Sequence, residues 1–461
     1  MAKETHRARR RALGCLLAGA LGSLGATHSM LALAADAAAA PQTTQANDKR
    51  VVVLTSYPEE LTARFQKAFE QQNPGTRVEI LWRHAEDALA YLRRGGMAEI
   101  DVYWTPAPRN FATLKKEGKL ARLALDTQTL PTKVAGYSIS DPDGYYTAFE
   151  LAGYGIAYNP EAVKKLGLPP PKDWHDLANP AYRGQVQIPI PGRVGFAPVM
   201  AEAVLQSSGG WAQGWAKFAA LAANADFGSG DRTPDTDDVA VGRKAARLSI
   251  DFFIPPARRN ANPAAGELAF VYPPKTAFNP AHIAISATAP HPDMARAFVD
   301  FLLSAKSQEM LLEPDVRRLP VRKDIYAAHP ELSAQPFAQS ALAYDDELRR
   351  ARQGLVAALF DIALVKPHAE VLPLWNALDL ADKENRGDPA KRREIHRLLT
   401  TVPVDDAAQQ DANLRSLFAF PDRVPGQPEP KPAAARLEVE ARWQNAIKAQ
   451  HEQARQLLQA L

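Results

Sequence analysis

The chain has 461 residues, of which 46% are hydrophobic, so it can build two or three domains with sizeable cores and is not globally disordered. Lys and Arg total 55 against 52 Asp and Glu, a balance that argues against a dedicated nucleic-acid-binding protein. The single cysteine excludes a disulfide framework and a cysteine-rich metal cluster.

The first 34 residues have the pattern of a secretory signal peptide. Lys3 and four arginines precede the apolar run Leu13–Leu21, and an A-x-A tripeptide indicates cleavage near Ala34. We therefore expect export to the periplasm, a signal peptide over residues 1–34 and a disordered lead-in over residues 35–49. Cleavage removes five basic residues and one acidic residue, so the formal charge changes from +3 to −1. Such a chain has no electrostatic reason to coat DNA or an anionic membrane.

Strands and helices alternate after the lead-in. Strands are predicted over Val51–Leu54, Arg77–Trp82 and Ile100–Trp104, and apolar residues at helical spacing predict a helix between each pair. This βαβαβ order predicts a parallel sheet with right-handed crossovers. Ligands of such sheets bind beyond the carboxyl ends of the strands. Here those ends are the turns Thr55-Ser56-Tyr57 and Thr105-Pro106-Ala107.

A second group of elements follows. Tyr145–Glu150 and Tyr154–Tyr158 are predicted as two extended runs separated at Ala152-Gly153. A helix is predicted over Phe196–Ser207, and a further strand over Arg247–Phe253. We expect a second α/β sheet from these segments.

Two later segments, Leu268–Tyr272 and His282–Ile285, lead back towards the first sheet. The predicted fold is therefore an α/β fold of two lobes, each with its own sheet, joined by extended hinge strands. Lobe 1 comprises residues 50–150 and 275–325, and lobe 2 comprises residues 151–274.

The tail, residues 326–461, is predicted as a helical C-terminal extension. It is rich in Ala, Leu, Arg and Gln, and Ala433–Leu461 has the pattern of one long amphipathic helix. We interpret the extension as a cap packed on a lobe or as a dimer contact. Docking to a partner is the alternative.

Four segments carry a resemblance to a known family: Val51–Glu60, Glu99–Trp104, Gly153–Pro160 and Trp174–Gly184. The last is close to the family pattern W-x-D-L-x-x-P-x-[YW]-x-G. Together with the order of elements, they resemble bacterial periplasmic solute-binding proteins of the ABC-transporter type. The most similar branch holds ferric-iron binders, small-anion and phosphonate binders, and phosphoglycerate transport regulatory proteins. The resemblance implies a type II-like fold whose lobes close like a Venus flytrap over one solute and present it to a permease.

The resemblance also places candidate ligand-binding residues in this chain. Hydroxyls and backbone N–H groups in the first turn suit an oxyanion, and Arg193 could form a bidentate pair with a carboxylate or phosphate. The alternatives are helix capping for the first turn, a core position for Trp104, a surface ion pair for Arg193 and a structural hydrogen bond for Asp251. The candidate residues are Thr55, Ser56, Tyr57, Trp104, Thr105, Gly192, Arg193, Gly195, Asp251, Phe252 and Tyr272.

The expected ligand is a small anionic organic solute, phosphoglycerate- or phosphonate-like, because Arg193 stands where the family often has Ser-Gly-Thr. We expect a monomer that delivers this solute to an ABC permease of the inner membrane, with no cofactor, metal site or nucleic acid. No enzymatic activity is expected, because the sequence has no Gly-x-Ser-x-Gly, His-Glu-x-x-His or P-loop motif.

Two other functions remain open. In the first, the protein is a ligand sensor, and a membrane histidine kinase, instead of a permease, recognises its closed form. In the second, the ligand is ferric iron, but the Tyr-Tyr pair that iron binders carry after the strand equivalent to Ser249–Phe253 is missing. Tyr145-Tyr146 is the only adjacent tyrosine pair, and alternation along a strand would point its rings to opposite faces.

Overall fold

A computed structural model of the chain describes residues 49–125, 129–134, 137–227, 236–253, 267–332, 334, 336–338, 342–420 and 431–461. The predicted signal peptide and all but the last residue of the predicted lead-in lie outside these residues. Within them, no helix has the length and apolar character needed to cross a membrane.

The described residues form a mixed α/β fold. In chain order the strands are β1 Arg50–Thr55, β2 Arg77–Trp82, β3 Val102–Thr105, β4 Lys133–Val134, β5 Tyr137–Ser138, β6 Thr147–Tyr158, β7 Val186–Gln187, β8 Ala225–Asp226, β9 Ala246–Ile250, β10 Ala269–Val271, β11 Phe278–Ile285 and β12 Leu319–Pro320. The helices are α1 Glu59–Gln72, α2 Ala85–Arg93, α3 Pro108–Lys116, α4 Pro160–Lys165, α5 Ala197–Ser207, α6 Trp211–Ala223, α7 Thr236–Ala240, α8 Pro292–Leu302, α9 Ala305–Met310, α10 Lys323–Ala328, α11 Asp346–Phe360, α12 His368–Lys383, α13 Pro389–Thr400, α14 Ala412–Leu417 and α15 Ala434–Gln459.

The first three strands form the predicted parallel sheet. β1 pairs in parallel with both β2 and β3, and β11 then joins β3 in the antiparallel sense. Alternate residues of β1 enter different cores: Val51 and Val53 pack with Phe65 of α1, whereas Val52 and Leu54 pack with Leu92 of α2. Helices therefore cover both faces, as parallel strands require. The βαβαβ prediction is confirmed.

A single strand, β6, joins the two halves of the molecule. Its first half pairs with β11 and its second half with β9 and β10, all antiparallel. The two separate runs predicted here were wrong, because Gly153 stays extended and pairs with Phe278, while Tyr154 pairs with Ile250. A Cβ on Gly153 would overlap the ring of Tyr272, so the glycine provides room for close packing and does not end the strand.

The halves correspond to two lobes. We call the half built on β1, β2, β3 and β11 lobe 1, and the half built on β7, β8 and β9 lobe 2. The strand order β2-β1-β3-β11-β6-β9-β7-β8 makes β6 common to both. The boundary predicted between residues 150 and 151 falls inside β6. The predicted fold class, a two-lobed α/β fold with a helical C-terminal extension, is confirmed.

The C-terminal extension and lobe 2 share one core. Phe360 of α11 contacts Phe218 of α6 edge-on, with ring centroids 5.5 Å apart. Two hydrogen bonds of 2.8 and 2.9 Å join the guanidinium of Arg352 to the carboxylate of Glu202 in α5, and both side chains are buried. The extension is therefore packed onto lobe 2 as part of its core.

The last helix, α15, confirms the predicted amphipathic helix to within two residues at each end. Val439, Trp443, Ile447, His451 and Ala454 form its buried face. Trp443 stacks on Phe418, with centroids 4.8 Å apart and planes 14° apart.

Candidate functional site

A cavity of about 620 Å³ lies between the two lobes. Lobe 1 and the strands next to it contribute Pro106, Glu150, Asn279 and Arg318. Lobe 2 contributes the loop after β7, the strand β9 and the turn that follows β9. The walls are largely apolar, with polar groups reaching in from both lobes, which is the usual composition of a small-molecule site.

Three arginines line this cavity: Arg193, Arg247 and Arg318. Among the described residues that line it, Glu150 is the only acidic one. Two of the arginines are almost completely buried, Arg247 at 5% and Arg318 at 9% exposure. Positive charge therefore exceeds negative charge in a largely apolar space, and such a space favours an anionic ligand.

Arg318 belongs to a buried cluster at the lobe 1 wall. Its Nη1 donates to Oε1 of Glu150, and the hydroxyl of Tyr57 donates to the same oxygen over 2.7 Å. The guanidinium also lies 4.3 Å from the ring centroid of Phe252, across the cavity. Burial raises the pKa of the Glu150 carboxyl, and the charge of Arg318 opposes this rise.

Arg247 and Gln187 lie on adjacent parallel strands of lobe 2, β9 and β7, and pair in register. Nη2 of Arg247 donates to the carbonyl of Phe253 over 2.8 Å, so the arginine spans the turn that follows β9. Gln187 donates through Nε2 to Asp238, 3.4 Å away. Both side chains are held by lobe 2 itself.

Arg193 lies on the exposed loop that precedes α5. Its Nη2 is 3.1 Å from Oδ1 of Asp361, which begins a π-helical turn, Asp361–Val365, between α11 and α12. Arg193 also lines a second cavity of about 560 Å³ between lobe 2 and the extension, together with Lys244 and Lys366. Arg193 is thus in reach of both the interlobe cavity and the extension.

The candidate residues on lobe 1 lie behind the cavity wall. Ser56 and Thr105 are hydrogen-bonded to each other through their hydroxyls, so the two predicted turns do meet at the ends of β1 and β3. Thr55, Tyr57 and Thr105 are nonetheless buried, and the residue of these turns that lines the cavity is Pro106.

Trp104 is part of the hydrophobic core, which is the alternative to ligand contact that the sequence offered for this residue. It is fully buried, and its ring lies 5.1 Å from that of Tyr57 and 4.9 Å from that of Phe149. Its side chain is on the face of β3 that packs against α1 and α8, because residues alternate between the two faces of a strand.

Asp251 and Tyr272 form a structural network where β6 and β9 meet. Oδ2 of Asp251 accepts from the N–H of Gly153 over 2.7 Å and from the hydroxyl of Tyr272 over 3.1 Å, and Oδ1 accepts from the N–H of Phe252. Burial raises the pKa of Asp251 to about 7. The last bond turns the chain into a 3₁₀ turn, Asp251–Phe253, so the strand predicted up to Phe253 ends at Ile250.

The candidates thus fall into two groups. Arg193, Gly195 and Phe252 line the cavity, whereas the other eight do not, including Gly192, which is exposed on the same loop as Arg193. Sequence reasoning missed Glu150, Arg247 and Arg318. A usable signal existed for two of them, since Glu150 is the only charged residue of β6 and Arg247 the only one of β9.

Comparison with known proteins agrees with this fold. The family described as bacterial extracellular solute-binding protein matches residues 108–340, half of the chain, and the chain belongs to that family. Membership implies export to the periplasm and a role in solute binding, and proteins of this family are generally not enzymes.

One curated relative is named phosphoglycerate transport regulatory protein PgtC, from Salmonella typhimurium. It is 29% identical over 381 residues, which cover 81% of this chain and 91% of the relative. Two solved structures have a similar fold. The Trichodesmium protein IdiA (FutA), in complex with iron and citrate, has a TM-score of 0.51 at 16% identity, covering 68% of this chain and 98% of its own. The Bordetella ferric binding protein also has a TM-score of 0.51, at 18% identity, covering 67% and 98%.

Proposed function

We propose that this protein binds a small anionic organic solute between its lobes and delivers it to an ABC permease of the inner membrane. The observation that carries the proposal is the largely apolar cavity itself, whose described lining has three arginines and a single acidic side chain. Guanidinium groups recognise carboxylate and phosphate oxygens through paired hydrogen bonds. The apolar walls suit the carbon skeleton of an organic anion.

The two-sided origin of the cavity supports capture by closure. Arg318 is on the lobe 1 side, whereas Arg193 and Arg247 are on the lobe 2 side. A solute that contacts both sides stabilises the closed arrangement by its differential affinity for that state. The permease would then recognise a closed, monomeric complex in the periplasm, after cleavage of the signal peptide near Ala34.

The relative PgtC supports an anionic solute of the phosphoglycerate type, since its name refers to phosphoglycerate transport and the match covers most of both chains. Ferric iron is the alternative ligand, and the experiment below includes it. Among the described residues, no three His, Cys, Asp or Glu side chains are grouped as metal ligands would be.

A thermal-shift screen of the exported protein tests this proposal. Phosphoglycerates, phosphonates, carboxylates and ferric salts are compared, and we expect an organic anion to raise Tm in a concentration-dependent way. Arg193→Ala should reduce that shift. The matched control is Arg77→Ala, because Arg77 is largely exposed at the start of β2 and does not line the cavity. Stabilisation by ferric salts alone would overturn the proposal.

A second candidate function is a ligand sensor that regulates a membrane histidine kinase. The specific observation that favours it is the ion pair between Arg193 and Asp361, which connects the cavity to the C-terminal extension. The match to PgtC is also too long to be confined to the two predicted lobes, so it includes part of the extension.

Uptake and signalling distinguish these two functions. If the protein delivers solute, deleting its gene should abolish uptake of the radiolabelled solute even when the permease is expressed from a constitutive promoter. If it is a sensor, uptake should persist under that promoter, and only solute-dependent induction should be lost. Neighbouring genes for permease subunits, or for a kinase and response regulator, provide an independent indication.

A further inference from the structure

Two buried oxygen atoms, each in a residue that lines the cavity, lack a hydrogen-bond donor among the described residues: Oε2 of Glu150 and Oε1 of Gln187. Both residues line the cavity, at 1% and 3% exposure. Glu150 lies on the part of β6 that pairs with lobe 1, and Gln187 lies on β7 of lobe 2. Buried polar atoms without partners are uncommon because each gives up its bonds to water. These two therefore require an explanation at the site.

Glu150 is an acceptor at this position. Its other oxygen, Oε1, receives both the Arg318 guanidinium and the Tyr57 hydroxyl. Two donors on one oxygen, one of them a cation, favour the ionised carboxylate. An ionised carboxylate can only accept, so the hydrogen-bonding capacity left on Glu150 is for a donor.

The orientation of the Gln187 amide follows from its neighbour. Its Nε2 is the atom that faces the Asp238 carboxylate, at 3.4 Å. Reversal of the amide would place two oxygens against each other, so the nitrogen is assigned to that side and Oε1 to the other. Oε1 therefore also accepts.

We infer that the solute carries hydroxyl groups in addition to its anionic group, and that these hydroxyls donate to Oε2 of Glu150 and Oε1 of Gln187. This inference rests on the proposed function, which supplies the anion. Hydroxyls are favoured over an ammonium group because Arg193, Arg247 and Arg318 line the same space and would repel a second cation. The solute class is thus a hydroxylated organic anion, such as a phosphorylated hydroxy acid or polyol, and not an aminoalkyl phosphonate.

Calorimetry on the exported protein with two matched probe pairs tests the inference. One pair is 3-phosphoglycerate and the same molecule without its hydroxyl, 3-phosphonooxypropanoate. The other is glycerol 3-phosphate and propyl phosphate, and 2-aminoethylphosphonate is added as a zwitterion. We expect the hydroxylated member of at least one pair to bind at least tenfold more tightly than its partner, and the zwitterion to bind more weakly still.

A variant connects the preference to one of the two oxygens. Gln187→Met removes Oε1 at similar volume and should reduce the preference for hydroxyls severalfold, measured as the ratio of the affinities for the two members of a pair. The control is Gln71→Met, at an exposed position of α1 outside the cavity. If both members of each pair bind equally to the unmodified protein, the inference fails and the proposed function stands. If none of the organic anions binds, the proposed function fails, and the inference fails with it.

Discussion

In the proposed function the solute and Asp361 compete for Arg193, and this competition can be measured. The guanidinium of Arg193 is paired with Asp361 of the extension, 3.1 Å away. Two variants distinguish the effect of the solute on Arg193 from that of Asp361. Arg193→Ala removes the group that both share, and Asp361→Asn removes only the competing charge.

The expected magnitudes follow from exposure. The Arg193 side chain is 41% exposed and that of Asp361 26% exposed, so solvent screens the ion pair and it contributes about 0.2–1 kcal/mol. Asp361→Asn should therefore tighten solute binding only modestly, by about 1.4- to 5-fold. A charged hydrogen bond from Arg193 to an anion contributes about 1.5–3 kcal/mol. Arg193→Ala should accordingly weaken binding about 10- to 150-fold.

Isothermal titration calorimetry with 3-phosphoglycerate measures both effects, and the double variant shows whether they are coupled. Lys366→Gln is the matched control, because Lys366 is the other partner of Asp361, at 3.2 Å, and does not line the interlobe cavity. It should not tighten binding. Unchanged affinity in Arg193→Ala would remove Arg193 from the site, and weaker binding in Asp361→Asn would refute the competition.

Three further predictions concern stability. Arg352→Met should cost about 3–5 kcal/mol in urea unfolding, because it leaves Glu202 charged and buried, and the double variant with Glu202→Met should cost clearly less; equal losses would contradict this reasoning. Burial lowers the pKa of His282 to about 4, below its ordinary 6.5, so the unfolded state takes up a proton first and stability should fall by about 3 kcal/mol as pH drops from about 6.5 to about 4. His282→Gln should remove most of that fall, and a pH profile that stays the same in the variant would assign it to other groups. Removal of residues 433–461 should lower Tm, because it uncovers the apolar face under α15, yet change solute affinity less than about twofold, since no residue of α15 lines the cavity; a large affinity loss would refute this.

The sequence predicts lobe 1 well because its elements are defined locally. Val51–Leu54 and Arg77–Trp82 are strand-forming runs separated by a helix with clear periodicity, and the parallel pairing follows from their order. β6 was mispredicted for the opposite reason. Gly153 reads locally as a break, but pairing with β11 on one side and β9 on the other keeps it extended.

The site was predicted only in part because the carboxyl-end rule locates a crevice without giving the direction of each side chain. The rule predicted ligand contacts at the ends of β1 and β3. There the side chains of Thr55, Tyr57 and Trp104 are buried, and Pro106 lines the cavity. Arg318 lies 168 positions from its partner Glu150, and no local pattern indicates that tertiary contact. Charged residues within otherwise uncharged strands are the pattern that would have found Glu150 and Arg247.

The sharing of β6 between the lobes limits how the lobes can move. Both lobes are hydrogen-bonded to one backbone ribbon, so sliding one past the other would break the ladder, whereas bending or twisting the ribbon would preserve it. The centre of that ribbon is Gly153, whose N–H is bonded to Asp251, and the next residue, Phe252, is part of the cavity wall. Asp251 accepts from the N–H groups of both Gly153 and Phe252, so it links the centre of the ribbon to the cavity wall. In the proposed closure, a solute that displaces the Phe252 ring would therefore act on the strand that both lobes share.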